Sequence, residues 1–448
     1  MLAKLWQKIN NKHFFSLSGN ASVSLLAMVS FAIIYRVLPS DAAIGAWVFF
    51  QTLFTLLETF RSGFLNTAII TFYAGNTDAR KQEVIASCWY IAGIITFGLS
   101  AITLACNFFQ PLIDNQGVKL FLWWGGLTFI TGLPAFIAAG LVQAQNKFDR
   151  FLYIRFTNQA LFISFLLFIH WQYGVTLQWV AIANIASNAI VSIACLLLGW
   201  SGIEHIKYKT KQCIIELYDF GKYSFGSYLS SSLFRVTDNM IINFMLGDRA
   251  LAIYNLGVRL MEVVEIPLRS FAATGMSELA ACFNQNNKNA FVDTLRKYIG
   301  LVTTALLPAL VMAVLLAGFV IPLIGGNKNI DTTGIQQASN VMRIYMTFAL
   351  LYPADRFYAL GLDVIKKPKI NFMKVLAMLA ANVIADFIGI YLFNNIYGIA
   401  LGTLMPILIG LLVGYKYLQQ YQPFSFWSVF ATGPYELKQL VLKMLGKQ

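Results

Sequence analysis

The chain has 448 residues, of which 58% are hydrophobic and only 12% charged, and its mean hydropathy is +0.64. Soluble domains carry about 25% charged residues and rarely exceed about 300 residues around one core, so this composition excludes a large soluble domain and predicts an integral membrane protein. In a membrane protein, a formal net charge of +13 is explained first by Lys and Arg residues in the cytoplasmic loops. Nucleic-acid binding is the less favoured explanation.

Twelve apolar stretches, separated by polar or turn residues, have the length of a bilayer crossing, which needs about 20 apolar residues. The pattern therefore predicts an all-α integral membrane fold with about twelve transmembrane helices. In chain order the predicted crossings cover residues 14–35, 43–71, 84–109, 119–144, 151–171, 175–200, 221–246, 251–276, 291–324, 338–362, 370–393 and 396–421.

The basic residues predict the orientation of these helices. With both termini in the cytoplasm, 23 Lys and Arg residues fall on the inside, among them Lys374 at the start of the eleventh crossing, and four fall on the outside. Because cytoplasmic loops carry the excess of Lys and Arg, the chain is expected to have both termini inside. No nucleic-acid partner is expected.

An internal repeat predicts two lobes. A shift of 207 residues aligns Asp41 with Asp248 and Glu58 with Glu265, together with the helix ends and loops around them. Because six is an even number of crossings, both halves enter the membrane from the same face, which is a parallel repeat. The predicted organisation is a six-helix lobe over residues 1–200, a cytoplasmic connector over 201–220, a second six-helix lobe over 221–421 and a cytoplasmic amphipathic tail over 422–448.

Charged residues inside the crossings are the candidates for a functional site, because a charge at the bilayer centre costs about 2.5 to 3.5 kcal/mol and normally faces a bundle interior or a watery cavity. Several of these charges lie three or four residues apart, on one helix face. The candidate cargo-binding arginines in the crossings are Arg61, Arg235, Arg259 and Arg343, and the candidate coupling or cavity carboxylates are Glu58, Asp238, Glu262, Glu265 and Asp386.

Two interpretations of these charges stay open at the level of sequence. In one, each arginine neutralises a neighbouring carboxylate, as Arg61 can for Glu58 and Arg269 for Glu265. In the other, the arginines receive an anionic, phosphorylated cargo, since guanidinium stays charged and binds phosphate through two parallel hydrogen bonds. Asp386 is either a carboxylate that binds Na⁺ or H⁺ for coupling or a polar contact between helices. No cofactor is expected beyond such an ion.

The end of the first crossing carries a recognisable passage. Residues 35–47 read Y-R-V-L-P-S-D-A-A-I-G-A-W, which resembles the R-x-L-x-x-x-(E/D)-x-x-G passage of bacterial polysaccharide flippases and departs from it at Ala42 and Ala43. In the second half, Asp238, the L-G-D of residues 246–248 and the stretch 253–260 resemble a second passage of that family, with Ala252 in place of its usual glycine.

Together with the twelve crossings and the repeat, these passages resemble the Wzx-like flippases, the polysaccharide branch of the multidrug/oligosaccharidyl-lipid/polysaccharide (MOP) exporter superfamily. The resemblance implies a MATE-like, V-shaped bundle of two six-helix lobes in the bacterial inner membrane. It implies that undecaprenyl-pyrophosphate-linked oligosaccharide, as in O-antigen or other polysaccharide biosynthesis, is turned from the cytoplasmic to the periplasmic leaflet by alternating access. The family's cavity arginines map onto Arg61, Arg235, Arg259 and Arg343, with Arg36 at the periplasmic rim.

Other function classes remain alternatives. A cation-coupled multidrug exporter of the MATE type shares the architecture, but its organic cations favour unpaired carboxylates over arginines. A transporter of the major facilitator type usually has the motif G-x-x-x-D-R-x-G-x-(R/K) in the loop after its second helix. Residues 75–81 match this motif poorly. A membrane-embedded polysaccharide polymerase or glycosyltransferase needs a long outer loop or acidic metal ligands, which the sequence lacks, so no enzymatic activity is expected. The expected partners are the lipid-linked anionic glycan, membrane lipids and the polysaccharide polymerase machinery.

Overall fold

The computed structural model of the chain describes residues 12–73, 77–145, 147–326, 330–365 and 367–444. Within these ranges the backbone forms helices joined by short turns, and no β-strand occurs there. This agrees with the predicted all-α fold, in which every backbone polar group of a crossing is satisfied inside its own helix.

The first half of the chain forms six long helices, which correspond in order to the first six predicted crossings. Short 3-10 helices follow α3 and α6. The bounds are α1 Lys12–Val37, α2 Asp41–Tyr73, α3 Asp78–Cys106, α4 Gln116–Ala144, α5 Phe148–Gln172 and α6 Leu177–Leu197.

The second half begins with α7, Lys211–Val258, whose helical conformation is interrupted at Gly247. The second half of the predicted connector is therefore already helical. The remaining helices are α8 Met261–Asn284, α9 Lys288–Gly325, α10 Thr332–Phe348, α11 Tyr352–Val364, α12 Pro368–Phe393, α13 Ile396–Gly402, α14 Leu404–Tyr421, α15 Ser428–Ala431 and α16 Gly433–Met444. The helix predicted in the tail is thus present over α16, and residues 445–448 lie outside the described part of the chain.

Eight described helical segments are long and apolar enough to span a membrane by themselves. They coincide with predicted crossings two to six, nine, eleven and twelve. The other four crossings correspond to α1, to α7, to α8, and to α10 with α11. Helices α7 and α8 carry several charged residues, which makes them less apolar. A 3-10 turn divides the tenth crossing into α10 and α11, each of which is too short to span a membrane by itself.

The chain divides into two compact units. Unit 1 comprises Met1–Ala252 and Ile324–Ile330, and unit 2 comprises Ile253–Leu323 and Asp331–Gln448. Most of α7 belongs to unit 1 because it packs there: Gly221 lies against Phe64, and the Asn239 amide donates a hydrogen bond to Thr52 Oγ1 at 3.0 Å. The lobe boundaries inferred from the repeat stay a prediction.

Unit 1 has a core of large apolar side chains from α2, α3, α4 and the start of α7. Its members include Leu65, Ile69, Val84, Ile85, Trp89, Leu133, Ile137, Leu141 and Leu217. The connector is tied to this core, since the Trp89 indole donates to the carbonyl oxygen of Ser201 at 2.8 Å.

Unit 2 uses glycine for close helix packing. Gly389 in α12 and Gly398 in α13 face each other so closely that a Cβ on either would overlap the backbone of the other. Gly300 in α9 lies against Gly433, the first residue of α16, and the Thr432 hydroxyl donates to the carbonyl oxygen of Arg296 at 3.0 Å. The tail helix is therefore docked on α9.

Candidate functional site

Arg61 and Glu58 form an ion pair inside unit 1. Arg61 Nη2 lies 2.8 Å from Glu58 Oε2 and 3.0 Å from Oε1, and Nε lies 3.1 Å from Oε1. The Arg61 side chain is 4% exposed and that of Glu58 is 23% exposed. The pairing foreseen from the spacing on α2 is confirmed.

The remaining donors of Arg61 bind neighbouring helices. Nη1 donates to Thr96 Oγ1 in α3 and to the carbonyl oxygen of Phe129 in α4, both at 3.2 Å, and the guanidinium lies 4.5 Å from the ring centre of Phe136. A planar guanidinium with five donors suits such a buried junction. These contacts give Arg61 a structural role in joining α2, α3 and α4, and its role in cargo binding stays a prediction.

The family-like passages of the two halves meet inside unit 1. Arg249 Nε lies 3.1 Å from Asp41 Oδ2, and Gly45 lies so close to the Asp248 backbone that any Cβ there would overlap the carbonyl oxygen. Gly247 has φ +85°, a conformation that favours glycine. Asn243 donates to Asp248 Oδ1 at 2.6 Å, but burial outweighs this bond and raises the pKa of the Asp248 carboxyl.

Three further predicted residues belong to this unit. Arg36 is exposed at the end of α1, with Gly326 beside its aliphatic stem, and Asp238 is half-buried in α7. The side chain of Arg235 lies outside what the structure describes. For all three the predicted roles stay predictions.

Arg259 lies at a break in the helical backbone of unit 2. Residues 259 and 260 form a turn between the last residues of α7 and the start of α8, where a continuous eighth crossing over 251–276 was predicted. That prediction is wrong in this detail, and the nearest proline, Pro267, lies a further two turns along. Arg259 Nη1 pairs with Glu262 Oε1 at 3.1 Å. Broken helices at membrane depth are tolerated where the backbone is buried or lines a cavity.

Glu265 and Arg269 form the second pair foreseen from sequence, and it is confirmed. Their side chains are 42% and 66% exposed. An exposed pair four residues apart on one helix is worth only about 0.3 to 0.5 kcal/mol, so it adds little to the stability of α8.

Arg343 in α10 differs from Arg61, Arg259 and Arg269, each of which pairs with a carboxylate. Its half-buried guanidinium donates from Nε to the carbonyl oxygen of Val314 in α9 at 3.3 Å and from Nη1 to Asn340 Oδ1 at 2.8 Å. In the described part of the chain no carboxylate lies within 4.0 Å of it. Its positive charge is therefore held by neutral oxygens alone among the described groups.

Lys374, one of the lysines expected on the cytoplasmic side, is buried in the structure, and its sidedness stays a prediction. It lies in the second turn of α12 with its side chain 1% exposed, and Nζ is 2.8 Å from Asp355 Oδ1 in α11. Gly410 in α14 makes room for this carboxylate, because a Cβ at that position would overlap Oδ1. The only sequence signal was the position of Lys374 four residues inside a predicted crossing.

Asp386 is fully buried in α12. Asn382, one turn earlier and 1% exposed, donates to Asp386 Oδ2 at 3.1 Å, and a Cβ at Gly402 would lie 3.1 Å from Oδ1. This carboxylate is thus held in a polar niche between α12 and the end of α13. The niche suits either of the two roles considered for Asp386.

The described candidates therefore fall into two groups. Unit 1 holds Arg36, Glu58, Arg61 and Asp238, and unit 2 holds Arg259, Glu262, Glu265, Arg343 and Asp386. Within each unit the structure shows only local pairs three or four residues apart among the described candidates, namely Glu58–Arg61 in unit 1 and Arg259–Glu262 and Glu265–Arg269 in unit 2.

Comparison with protein families gives two matches. The profile of a family described as "Polysaccharide biosynthesis protein" matches residues 10–275, and the profile of the MatE family matches residues 224–388. Comparison with curated protein sequences gives no match.

Solved structures with the same fold cover nearly the whole chain. The lipid II flippase MurJ in an inward closed conformation has a TM-score of 0.76 at 16% identity, covering 97% of this chain and 93% of its own. An inward-facing multidrug resistance MATE transporter of the MOP superfamily has a TM-score of 0.76 at 13% identity, with 90% and 98% covered.

A third neighbour is a MOP superfamily transporter from Pyrococcus furiosus, whose structure is described as having a binding pocket of reversed polarity. It has a TM-score of 0.62 at 13% identity, with 91% of this chain and 94% of its own covered. At these identities the likeness establishes the fold. The predicted fold class, an all-α multi-pass membrane protein of the MATE-like type, is thereby confirmed.

Proposed function

Because the chain belongs to the polysaccharide biosynthesis protein family of the MOP superfamily of membrane transporters, we propose that it is a flippase for a lipid-linked anionic glycan. The cargo we propose is an undecaprenyl-pyrophosphate-linked oligosaccharide, moved from the cytoplasmic to the periplasmic leaflet by alternating access. The proposal starts from two established points: the chain is a multi-pass membrane protein, and it belongs to that family.

The observation that carries the proposal is the environment of Arg343. A guanidinium placed in an apolar helix bundle is costly, and the described partners of Arg343 are a backbone carbonyl and an amide oxygen. Neither supplies a negative charge. A pyrophosphate group would supply it and would accept two parallel hydrogen bonds from the planar fork.

The helix break at Arg259 supports the same cargo class. Helix α8 starts at Met261 without a side-chain cap at Leu260, and the N-terminus of a helix binds anions favourably. Arg259 itself is paired with Glu262 at 3.1 Å, so a cargo phosphate would share this arginine with the carboxylate. We propose that Arg259 and Arg343 bind the pyrophosphate, with Arg36, Arg61 and Arg235 as the further cationic positions that the family resemblance implies.

We also propose that transport is coupled to Na⁺ or H⁺ through Asp386. Its full burial and its bond from Asn382 provide a carboxylate and a neutral amide at one place, which are ligands suited to a hard monovalent cation or a proton. Asp238, Glu58, Glu262 and Glu265 are the other carboxylates proposed for the cavity.

The proposal places the chain in the bacterial inner membrane with both termini in the cytoplasm. Its partners are the lipid-linked glycan, membrane lipids and the polysaccharide polymerase machinery that uses the translocated product, and it has no catalytic residue. O-antigen is one glycan class that fits this assignment.

A second candidate function is export of drugs coupled to a cation. The match of residues 224–388 to the MatE family favours it. The sign of the charge separates the two functions, because an organic cation would be repelled by an arginine held among neutral oxygens.

The experiment that tests the proposal is complementation of a strain that lacks its own polysaccharide flippase. Wild type, Arg343→Ala and Arg80→Gln would be compared at matched membrane expression. Arg80 is a control arginine that pairs with Glu83 and Glu216 near the start of α3. We expect wild type and the control to restore surface glycan and Arg343→Ala to fail. Full restoration by Arg343→Ala would refute the role proposed for Arg343. No restoration by wild type, together with acquired resistance to organic cations, would refute the flippase assignment.

A further inference from the structure

Unit 2 contains an apolar groove between α8, α9 and α10 that the charged site does not use. It encloses about 420 Å³, which is within the range of small-molecule sites and far above the voids found in packed interiors. All of the side chains that line it are apolar. The side chains that form it come from Leu260, Val264, Pro267 and Phe271 around α8, from one face of α9, and from Met342 and Met346 of α10.

Small residues on α9 create the groove. Ala305, Ala309 and Ala313 follow one another at intervals of four residues and therefore lie on the same helix face, and all three line the groove. Larger neighbours such as Leu306 and Leu310 are buried at its sides. Alanine, which ends at Cβ, leaves a channel along the helix that a longer side chain would fill.

The groove is longer than one leaflet of a bilayer. Its α9 lining runs from Val302 to Val320, and 18 residues at 1.5 Å each give about 27 Å. The hydrocarbon core of a bilayer is about 30 Å thick, so one leaflet accounts for about 15 Å. A volume of about 420 Å³ spread over this length has the proportions of a single extended hydrocarbon chain that reaches beyond its own leaflet.

A cationic group lies on the rim of the groove. Arg343 neighbours Met342 in sequence, and its Nε donates to the carbonyl oxygen of Val314, next to the groove residue Ala313. Its Nη2 lies 3.7 Å from the position that a Cβ on Gly318 would occupy, so the guanidinium rests on this stretch of α9. An occupant with an anionic head and a long apolar tail would satisfy both the arginine and the groove.

We propose that this groove holds the polyprenyl tail of the cargo while Arg343 binds its phosphate. The inference rests on the proposed function for the identity of the tail. Chain length is what separates this occupant from an ordinary bilayer lipid, whose acyl chains end within their own leaflet.

The test uses the purified full-length protein and a benzophenone-tagged undecaprenyl phosphate that carries no glycan. We expect photolabelling of α9 peptides around Met312, competed by untagged undecaprenyl phosphate and at least tenfold less well by farnesyl phosphate or phosphatidylglycerol. Equal competition by phosphatidylglycerol would identify the groove as a site for bilayer lipid and overturn the proposal.

Two variants of α9 sharpen the result. Ala309→Phe fills the groove and should reduce labelling at least tenfold, whereas Val311→Phe enlarges a side chain on the same helix that is 49% exposed and outside the groove, and should leave labelling unchanged. Unchanged labelling of folded Ala309→Phe would overturn the proposal. If Ala309→Phe fails to fold, the competition series on wild type decides alone.

The outcome is separable from that of the complementation experiment, because labelling requires neither glycan nor transport. Complementation without labelling of the groove would overturn this inference and leave the flippase assignment standing. Labelling with the expected chain-length dependence but without complementation would support the polyprenyl site and refute the glycan cargo.

Discussion

Replacement of Lys374 by methionine should destabilise the protein strongly, although the sequence places this lysine beside a cytoplasmic loop. The change removes an ammonium that is 1% exposed and lies 2.8 Å from Asp355 Oδ1. Breaking a buried pair by deleting one partner costs about 3 to 5 kcal/mol, because the other charge is left uncompensated. The Asp355 side chain remains 25% exposed, so water can partly hydrate the carboxylate that Lys374→Met leaves unpaired. We therefore expect this variant to lose about 3 kcal/mol of its free energy of unfolding, the lower end of that range.

Replacement of the partner, Asp355, by asparagine should lower the free energy of unfolding more than Lys374→Met does. Asp355→Asn leaves the ammonium of Lys374 without its charge partner at a site with almost no access to water, and we expect the free energy of unfolding to fall by about 5 kcal/mol. The double variant Lys374→Met/Asp355→Asn should be more stable than the worse single variant, since it leaves no unpaired charge.

The assay is equilibrium unfolding of the purified protein in mixed micelles with all four members of the mutant cycle. A coupling energy of at least about 2 kcal/mol is expected, whereas independent sites add within about 0.3 to 0.5 kcal/mol. Additive single variants, or a loss below about 1 kcal/mol for Lys374→Met, would refute the assignment of a buried, stabilising pair.

Three other predictions follow from the described contacts. Arg61→Lys keeps the charge but loses the planar fork that joins α2 to Thr96 and Phe129, so unfolding should become easier by about 2 kcal/mol, and unchanged stability would contradict that role. Gly398→Ala should destabilise by about 1 to 3 kcal/mol, because its Cβ overlaps Gly389, while the control Gly93→Ala has open space and should be neutral or stabilising. Glu278, past the end of the eighth predicted crossing, has a lowered pKa because hydrogen bonds from Tyr298 and Lys297 outweigh burial. The ionised carboxylate of Glu278 stabilises the fold fully above about pH 4.5, and this contribution is lost as the pH falls below that value. The melting temperatures of wild type and Glu278→Gln should therefore differ by a constant amount from about pH 7 to about pH 5 and converge between about pH 4.5 and about pH 3. A difference that stays constant down to about pH 3 would contradict this.

Local features of the fold were predictable because they depend on short stretches of sequence. The apolar stretches place the long helices, and three- and four-residue spacings place Glu58 beside Arg61 and Glu265 beside Arg269. The resemblance to the polysaccharide branch of the MOP superfamily, drawn from residues near Arg36 and Gly247, is confirmed by the family match over residues 10–275.

Features that depend on distant parts of the chain were not predictable. Lys374 finds its partner 19 residues away on another helix, so its burial leaves no periodic signal. The close approach of Gly45 to Asp248 joins residues 203 positions apart. The break at residues 259–260 has Gly257 two residues before it, but a single glycine inside a helical pattern is tolerated, so the chain offers only a weak local marker for the break.

Arg343 shows a third kind of limit. Sequence identifies a charge in a crossing, but only the structure shows that its described partners are Val314 and Asn340 and that an apolar groove runs beside it. The same residue type at Arg61 is enclosed by a carboxylate and two further acceptors. Residue type and depth therefore do not separate a binding arginine from a structural one.

The central claim is that the protein moves an anionic lipid-linked glycan, and the most direct measurement is the initial rate of translocation in proteoliposomes. Undecaprenyl-pyrophosphate-linked oligosaccharide would be compared with the same oligosaccharide on an uncharged polyprenyl carrier, for wild type and Arg343→Ala. Losing hydrogen bonds to a charged group costs about 1.5 to 3 kcal/mol, so the account predicts translocation of the pyrophosphate cargo by wild type and a rate about 10- to 150-fold lower for Arg343→Ala. Equal rates for the charged and uncharged cargo, or an unchanged rate for Arg343→Ala, would contradict it.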